Sequence, residues 1–488
     1  MKILFVIPEL LLSEPLGLMR LSADCKKYGH QTKLAVLKKD SIIQKIEEFQ
    51  PVLIGYSTMT PDAPLFKEAD ELVQKWRRRT GRKVYRIMGG PHPTFYPEVL
   101  SELNLEAICL GEGDRAIIEI IKRIEKGENF SGIPNVMSQA SKSVQLELID
   151  NLDALPFADR DIIYEAAPYY RSAALRSFLT ARGCPYNCTY CYNHLYNKMF
   201  GGCGTIMRRR SVANVIEEIK KVIREYPPVR FIRFADDTFV HQVDDWLKEF
   251  ARRYKKEINL PFYCITRSNT ITEEGAKILK EAGCHSIGMA VETGDEAVRN
   301  RILKRNLPNE VVIRSFAITR KYHFKTYGNT MLAIPGTTTK QDFDSFIFMK
   351  KLRLSAPTFG IFSPYPNTEL TDYALQKGFL KDKFTPTKYG LKSVLNNYTE
   401  DEKDWQIRLA YLGPLFCALP DFFLPVFKFL LKLKLTKFYI WIGSIYTSYI
   451  TYAKTFPGIL PRQPVKLFKI VRDAVRYSRP EAEEKIRN

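Results

Sequence analysis

Nine cysteines in 488 residues are too few for a disulfide scaffold. Three of the nine crowd into the eight residues 184–191, which suits a reducing compartment and a metal better than oxidised pairs. Long apolar runs are missing as well. Pro8 and Glu9 interrupt the N-terminal MKILFVIPELLL, so this segment reads as a first β-strand rather than a signal-peptide core. Two charge-free runs near the C-terminus, 409–420 and 438–453, have 12 and 16 residues, against about 20 for a spanning helix. No low-complexity tract and no repeat beyond a strand–helix rhythm is found. Acidic residues are in deficit, 54 against 74 Lys and Arg, and the net charge of +20 favours an anionic partner or surface. Hydrophobic residues at 45% and charged residues at 26% are ordinary for a folded protein. The expected compartment is the cytoplasm.

Residues 1–140 alternate short apolar runs (KILFVIP, TKLAVL, PVLIGYST, KVYRIMGG, EAICLG) with amphipathic stretches such as 62–80 and 114–126. That pattern predicts an α/β domain, a parallel sheet with helices on both faces. Ligands of such sheets sit at the carboxyl ends of the strands. Here those ends carry Pro8-Glu9, the run Ser57-Thr58-Met59-Thr60, Gly89-Gly90-Pro91-His92 and Gly111-Glu112-Gly113. Residues 141–175 are irregular and suit a linker. The alternation restarts at Arg176 with SFLTARGC, VRFIRFADD, PFYCITR, HSIGMAVETG, KTYGNTMLAIPG and PTFGIFSPYP. Six βα units within 176–380 predict a partial βα barrel, and 381–488 a helical C-terminal region.

The sharpest local signal is Arg182-Gly-Cys184-Pro-Tyr-Asn-Cys188-Thr-Tyr190-Cys191 at the end of a predicted strand. Three thiolates on one loop can hold one metal centre. Thiolates select zinc or an iron–sulfur cluster, and a cubane normally takes four ligands. Three leave one iron open for chemistry. Cys203 as a fourth thiolate would instead make a structural zinc site, and the spacing alone leaves both readings standing. Cys25, Cys264, Cys284 and Cys417 lie in apolar surroundings and read as small buried residues.

With Tyr190 before its last cysteine, the loop resembles the C-x3-C-x2-C signature of the radical S-adenosylmethionine (SAM) superfamily, and the resemblance runs over about residues 176–377. It implies a [4Fe–4S] cluster on Cys184, Cys188 and Cys191 whose open iron chelates SAM. One electron then splits SAM into methionine and a 5′-deoxyadenosyl radical. It also implies SAM contacts from Tyr190, from Asp236 and Asp237 after the second barrel strand, from Arg267 after the third and from Glu292 after the fourth. The first domain, which lacks G-x-G-x-x-G after its first strand, resembles the cobalamin-binding domain that precedes many such barrels. Ser57, Thr58, Gly89, Gly90 and His92 are then the implied cobalamin contacts. The cobalt-ligating His of the mutase motif Asp-x-His-x-x-Gly is absent from PELLLSEPLG, and His30 lies at the wrong end of the sheet.

The stretch 405–460 holds 14 aromatic residues and a single acid, Asp421, with Lys428, Lys432, Lys434 and Lys437 interleaved among Phe, Leu and Tyr. This composition suits a monotopic contact with anionic lipid on the inner face of the membrane. A helical cap packed on the barrel is the alternative, and the apolar content is too high for a nucleic-acid groove. The function expected is a cobalamin-dependent radical SAM enzyme that methylates an unactivated carbon of a hydrophobic, lipid-like substrate. Its electrons would come from a flavodoxin or ferredoxin. A cyclase or other carbon–carbon bond-forming enzyme is the neighbouring reading. A non-catalytic, zinc-stabilised scaffold docked on membrane is the reading of another class.

Overall fold

The computed structural model describes residues 1–10, 14–381 and 392–457. The polar stretch 382–391, residues 11–13 of the first loop and the end of the C-terminal region, 458–488, therefore lie outside the described residues. The chain forms two compact units, one of residues 1–173, 181–185 and 192–227, the other of 174–180, 186–191 and 228 onward.

In the first unit, β1 (Lys2–Ile7), β2 (Gln31–Val36), β3 (Leu53–Ser57), β4 (Tyr85–Gly89) and β5 (Ala107–Cys109) run parallel in the order β2-β1-β3-β4-β5. A short β6 (Val136–Ser138) pairs antiparallel with β5. Alternation along β1 sends Ile3, Phe5 and Ile7 to one core and Leu4 and Val6 to the other. The first core takes the helices Leu16–Lys27 and Asp114–Lys126. The second takes Ile42–Phe49 and Ala63–Thr80. Each such buried side chain contributes roughly 1.5–3 kcal/mol, so both faces of the sheet are committed and only its strand ends remain for ligands.

The segment expected as a linker is packed. The buried Arg160 guanidinium donates to both carboxylate oxygens of Glu14 at 2.8 Å, and the Tyr164 hydroxyl adds a bond at 2.9 Å. The helix Val212–Glu225 starts where Ser211 accepts the Asn214 N–H. Glu218 ties it to the rest of this unit by accepting the Ala158 N–H at 3.3 Å, and Arg210 holds that carboxylate below the usual range against the opposing effect of burial.

The second unit is built on six parallel strands in chain order: β7 (Leu175–Phe178), β10 (Phe231–Phe234), β11 (Phe262–Ile265), β12 (Cys284–Gly288), β13 (Lys325–Leu332) and β14 (Ala356–Ile361). Two-residue strands β8 (Ala181–Arg182) and β9 (Arg208–Arg209) form a small ladder in the first unit. The order never reverses, as it would in a doubly wound sheet, and β7 does not pair with β14 among the described residues. This is the open, partial barrel expected.

One face of each strand meets the outer helices. Phe234 packs edge-on against Phe250 and Tyr254 of the helix Asp245–Glu257. Alternation therefore turns Arg233, and Tyr263 in register with it, to the inner face.

Much of the C-terminal region is a cap. The helix Glu400–Ala418 opens with a Thr399–Glu402 capping box and buries Ile407, Leu409, Leu412 and Phe416 against β14 and the helix Thr339–Leu352. Gly413 allows the approach, because a Cβ there would stand 3.0 Å from the Phe359 ring. Further on, the Thr455 carbonyl accepts the Ser286 hydroxyl at 2.6 Å, and the Phe456 ring meets Phe231 and Tyr263. Residues 451–456 thus close the floor of the barrel. The cap reading holds for these segments. The helices Leu424–Lys432 and Thr436–Ile450 keep an apolar surface, with Phe422 73%, Phe429 61%, Phe438 51% and Trp441 50% exposed. No described helix is long and apolar enough to cross a membrane.

Candidate functional site

The cysteine loop leaves β8 at Arg182, whose guanidinium grips both Asp114 oxygens at 2.8 and 2.9 Å. Gly183 follows with φ +89°, and a Cβ there would stand 2.2 Å from the Ile206 carbonyl oxygen, so only glycine passes. Further along, the Cys191 N–H donates to the Cys188 carbonyl at 3.1 Å, closing the turn. Cys184 is buried while Cys188 and Cys191 are half-buried.

Between the last two cysteines, Tyr190 is tied into a buried polar knot. Its hydroxyl donates to Glu292 Oε1 at 2.7 Å, and Arg305 Nη1 donates to the Tyr190 oxygen at 2.7 Å and to Glu292 Oε1 at 2.9 Å. Burial drives the Tyr190 phenol well above its ordinary range, so it stays a neutral donor. Glu292 sits at φ +67°, a conformation costing a non-glycine residue on the order of 1–3 kcal/mol and one that the knot over-determines.

The other expected SAM contacts fall at strand ends with distinct partners. Asp236 is buried and accepts the Thr180 N–H at 2.7 Å and the Thr180 hydroxyl at 3.0 Å. Asp237 is exposed. The Arg267 guanidinium lies 3.9 Å from the Tyr186 ring centroid, and its Nη2 donates to the Arg305 carbonyl. Cys203 is half-buried, its N–H bonded to the Phe200 carbonyl. Cys25, Cys264 and Cys284 are buried as expected. Cys417 is half-buried. No group of three or more described His, Cys, Asp or Glu side chains converges on one ion, an arrangement a cubane does not need, since each thiolate takes a separate iron.

At the sheet of the first unit, the expected cobalamin contacts form one cradle. Ser57 and Gly89 are neighbours in register at the ends of β3 and β4. The Thr58 N–H donates to the Gly89 carbonyl, and the Thr58 carbonyl accepts the His92 N–H. Gly90 has φ +99° and a Cβ there would lie 2.7 Å from the Thr58 carbonyl oxygen. Thr58 Oγ1 and His92 Nδ1 are buried without a hydrogen-bond partner, and such orphans call for a ligand or water. The His92 ring stacks on Tyr96 at 5.3 Å, and burial lowers its pKa, keeping it neutral. His30 Nδ1 lies 3.1 Å from the N-terminal ammonium, at the opposite end of the strands. The Gly111-Glu112-Gly113 run has structural work instead, because Glu112 is held by Arg208 at 2.9 and 3.0 Å and accepts the Ile149 N–H. Tyr192, next after the last cysteine, stacks on Phe95 at 4.3 Å and reaches Thr60 Oγ1 at 3.1 Å.

Arg305 and Arg182 were not among the residues expected from sequence. Within RNRILKR a basic run reads as a solvated face, yet Arg299 and Arg305 are both buried. The available signal was their interleaving with Ile302 and Leu303.

The donor set fits the implied groups: three thiols on one loop with an aromatic anchor, and a glycine-lined cradle with two orphaned polar atoms. A model of the radical SAM superfamily matches residues 178–347, and a model of the B12 binding domain matches 11–121. An uncharacterised methyltransferase of Pyrococcus horikoshii is 27% identical over 85% of this chain and 92% of its own length. The cytidylyl-2-hydroxyethylphosphonate methyltransferase of Streptomyces wedmorensis is 22% identical over 75% of this chain and 78% of its own. The fold is shared with the radical SAM methyltransferase TsrM of Kitasatospora setae, solved with cobalamin and a [4Fe–4S] cluster, at a TM-score of 0.67, 15% identity and 99% coverage of each chain. The cofactors that accompany these two domains are a [4Fe–4S] cluster with SAM, and cobalamin. The chain belongs to the radical SAM superfamily, among the enzymes that carry a B12-binding domain ahead of the barrel.

Proposed function

We propose that the protein is a cobalamin-dependent methyltransferase acting on an unactivated carbon of a hydrophobic substrate. The observation that carries this reading is the likeness to an uncharacterised methyltransferase over 85% of this chain and 92% of that relative, in a chain that itself matches the B12-binding and radical SAM models. When bound, the cofactors supply a carbon-centred radical that takes a hydrogen atom and a methyl group to replace it. The chain's own part is to place them. Cys184, Cys188 and Cys191 hold the cluster, with Tyr190 fixing the loop between the last two. Asp237, Arg267 and Glu292 face SAM, while Asp236 shapes the turn at Thr180. Ser57, Thr58, Gly89, Gly90 and His92 line the cobalamin cradle, and no His of the first loop ligates cobalt.

The net charge of +20 suits an acidic electron carrier such as a flavodoxin or ferredoxin. Exposed Phe422, Phe429, Phe438 and Trp441, among the exposed lysines 428, 432, 434 and 437, favour a peripheral membrane contact and access to an apolar substrate. The test is anaerobic purification with iron, sulfide, zinc and cobalt analysis, then turnover with SAM labelled in its methyl group. Iron, cobalt and label transferred to product support the reading. 5′-Deoxyadenosine without transferred label would favour the cyclase reading, and a colourless zinc protein would refute both.

A further inference from the structure

The inner face of the barrel sheet holds a guanidinium with nothing bound to it. Arg233 sits in the middle of β10, two residues, roughly 7 Å, below Ala235 at the strand end. Its Nε is buried without a hydrogen-bond partner, and no carboxylate pairs with it among the described residues. Arg305, by contrast, is satisfied by Glu292 and Tyr190. Arg233 is half-buried, and a charge partly withdrawn from water is normally met by a counter-charge.

The neighbours of Arg233 are neutral donors. Tyr263 stands in register beside it, and burial raises its phenol far above the ordinary range while Arg233 opposes that rise. Gly288 admits the Tyr263 hydroxyl, since a Cβ there would lie 2.1 Å from it. On β13 and β14 the inner face continues with Tyr327, Asn329 and Thr358, the Thr358 hydroxyl lying 3.3 Å from that of Tyr327 and 3.2 Å from Asn329 Oδ1. Below them Phe456 forms an apolar floor.

We propose that Arg233, with the Tyr263 and Tyr327 hydroxyls, binds an oxyanion of the substrate, a phosphate, phosphonate or carboxylate, inside the barrel. A planar guanidinium fork matches such a group bidentately. The substrate class is accordingly an amphiphile, apolar in body with one anionic end that enters first and fixes which carbon faces the cofactors. This deepens the reading above and rests on the barrel interior being the substrate chamber.

The probe is hexyl phosphate, with hexan-1-ol as the uncharged control, titrated calorimetrically into holoenzyme loaded with cluster, cobalamin and SAM. Hexyl phosphate should bind at least tenfold more tightly than hexanol, and Arg233→Gln should erase that difference while SAM affinity stays unchanged. Arg233→Lys, which keeps the charge without the fork, should retain part of it and covers the case in which the Gln variant fails to fold. Absence of binding by wild type, or an undiminished preference in the Gln variant, would overturn the proposal. So would a tenfold loss of SAM affinity, because the anion would then be SAM's own carboxylate. SAM cleavage by wild type, followed separately, reports on the methyltransferase reading and not on this one.

Discussion

Replacing Arg305 by Met should cost the second unit more than any surface change, and the reason is charge left behind. Arg305 donates to Tyr190, to Glu292 Oε1 and, at 3.1 Å, to the Ala290 carbonyl. Its removal leaves the Glu292 carboxylate buried with only the Tyr190 hydroxyl for company. Breaking a buried pair from one side costs about 3–5 kcal/mol. At roughly 2–4 °C per kcal/mol for a large domain, the melting temperature should fall by about 6–20 °C. The double variant Arg305→Met with Glu292→Gln should recover much of this, since no unpaired charge then remains and the amide still accepts from Tyr190. Calorimetry of the apo protein, with its two units resolved as separate transitions, provides the assay. A drop below 2 °C in the single variant, or a double variant as unstable as the two singles summed, would refute the reasoning. In reconstituted protein the same variant should broaden the cluster's paramagnetic resonance, because Tyr190 would be anchored by Glu292 alone.

Three further outcomes are expected. Gly90→Ala sets a Cβ against the Thr58 carbonyl at φ +99° and should destabilise the first unit by about 1–3 kcal/mol while lowering its cobalt content on reconstitution; full cobalt loading would sink the cradle assignment. Burial raises the Asp342 carboxyl from 3.8 to about 7, where it accepts from the Ala333 N–H and from Gln406. A raised acid holds its proton in the folded state, so its contribution is complete below about pH 4 and is lost as pH climbs through 7. Asp342→Asn should therefore flatten the fall in second-unit melting temperature across that window, and an unchanged slope counts against it. Wild-type protein should float with anionic vesicles and the Phe422→Ser, Phe429→Ser, Trp441→Ser variant should not. Wild type remaining at the bottom of the gradient would end the membrane reading.

The strands were legible in the sequence because parallel strands buried on both faces are nearly continuous apolar runs: KILFVI and FIRF announce themselves without reference to anything distant. The cysteine spacing was legible for the same reason, since its ligands share one loop. Ion pairs across long stretches of chain were not. Nothing local tells that Glu112 will meet Arg208, or Glu14 Arg160, and those two pairs help bind 141–173 and 192–227 into the first unit. The C-terminal region misled through composition. Aromatic density reads alike whether rings pack on a barrel, as Phe416 and Phe456 do, or face water, as Phe429 does.

The floor of the barrel has a consequence for how the protein is made. Phe456 and the Thr455 carbonyl meet strands whose residues precede them by some 170 to 225 positions. At about 5–20 residues per second, the 95 residues separating the end of β14 from Phe456 take roughly 5–20 s to synthesise. Throughout that interval all six strands exist without the ring that stops their lower end. The nascent barrel is thus open at both ends while its interior is newly assembled. Chaperones and solvent have access then that they lose once residues 451–456 dock, so closing the barrel floor waits on a segment made long after the strands it meets.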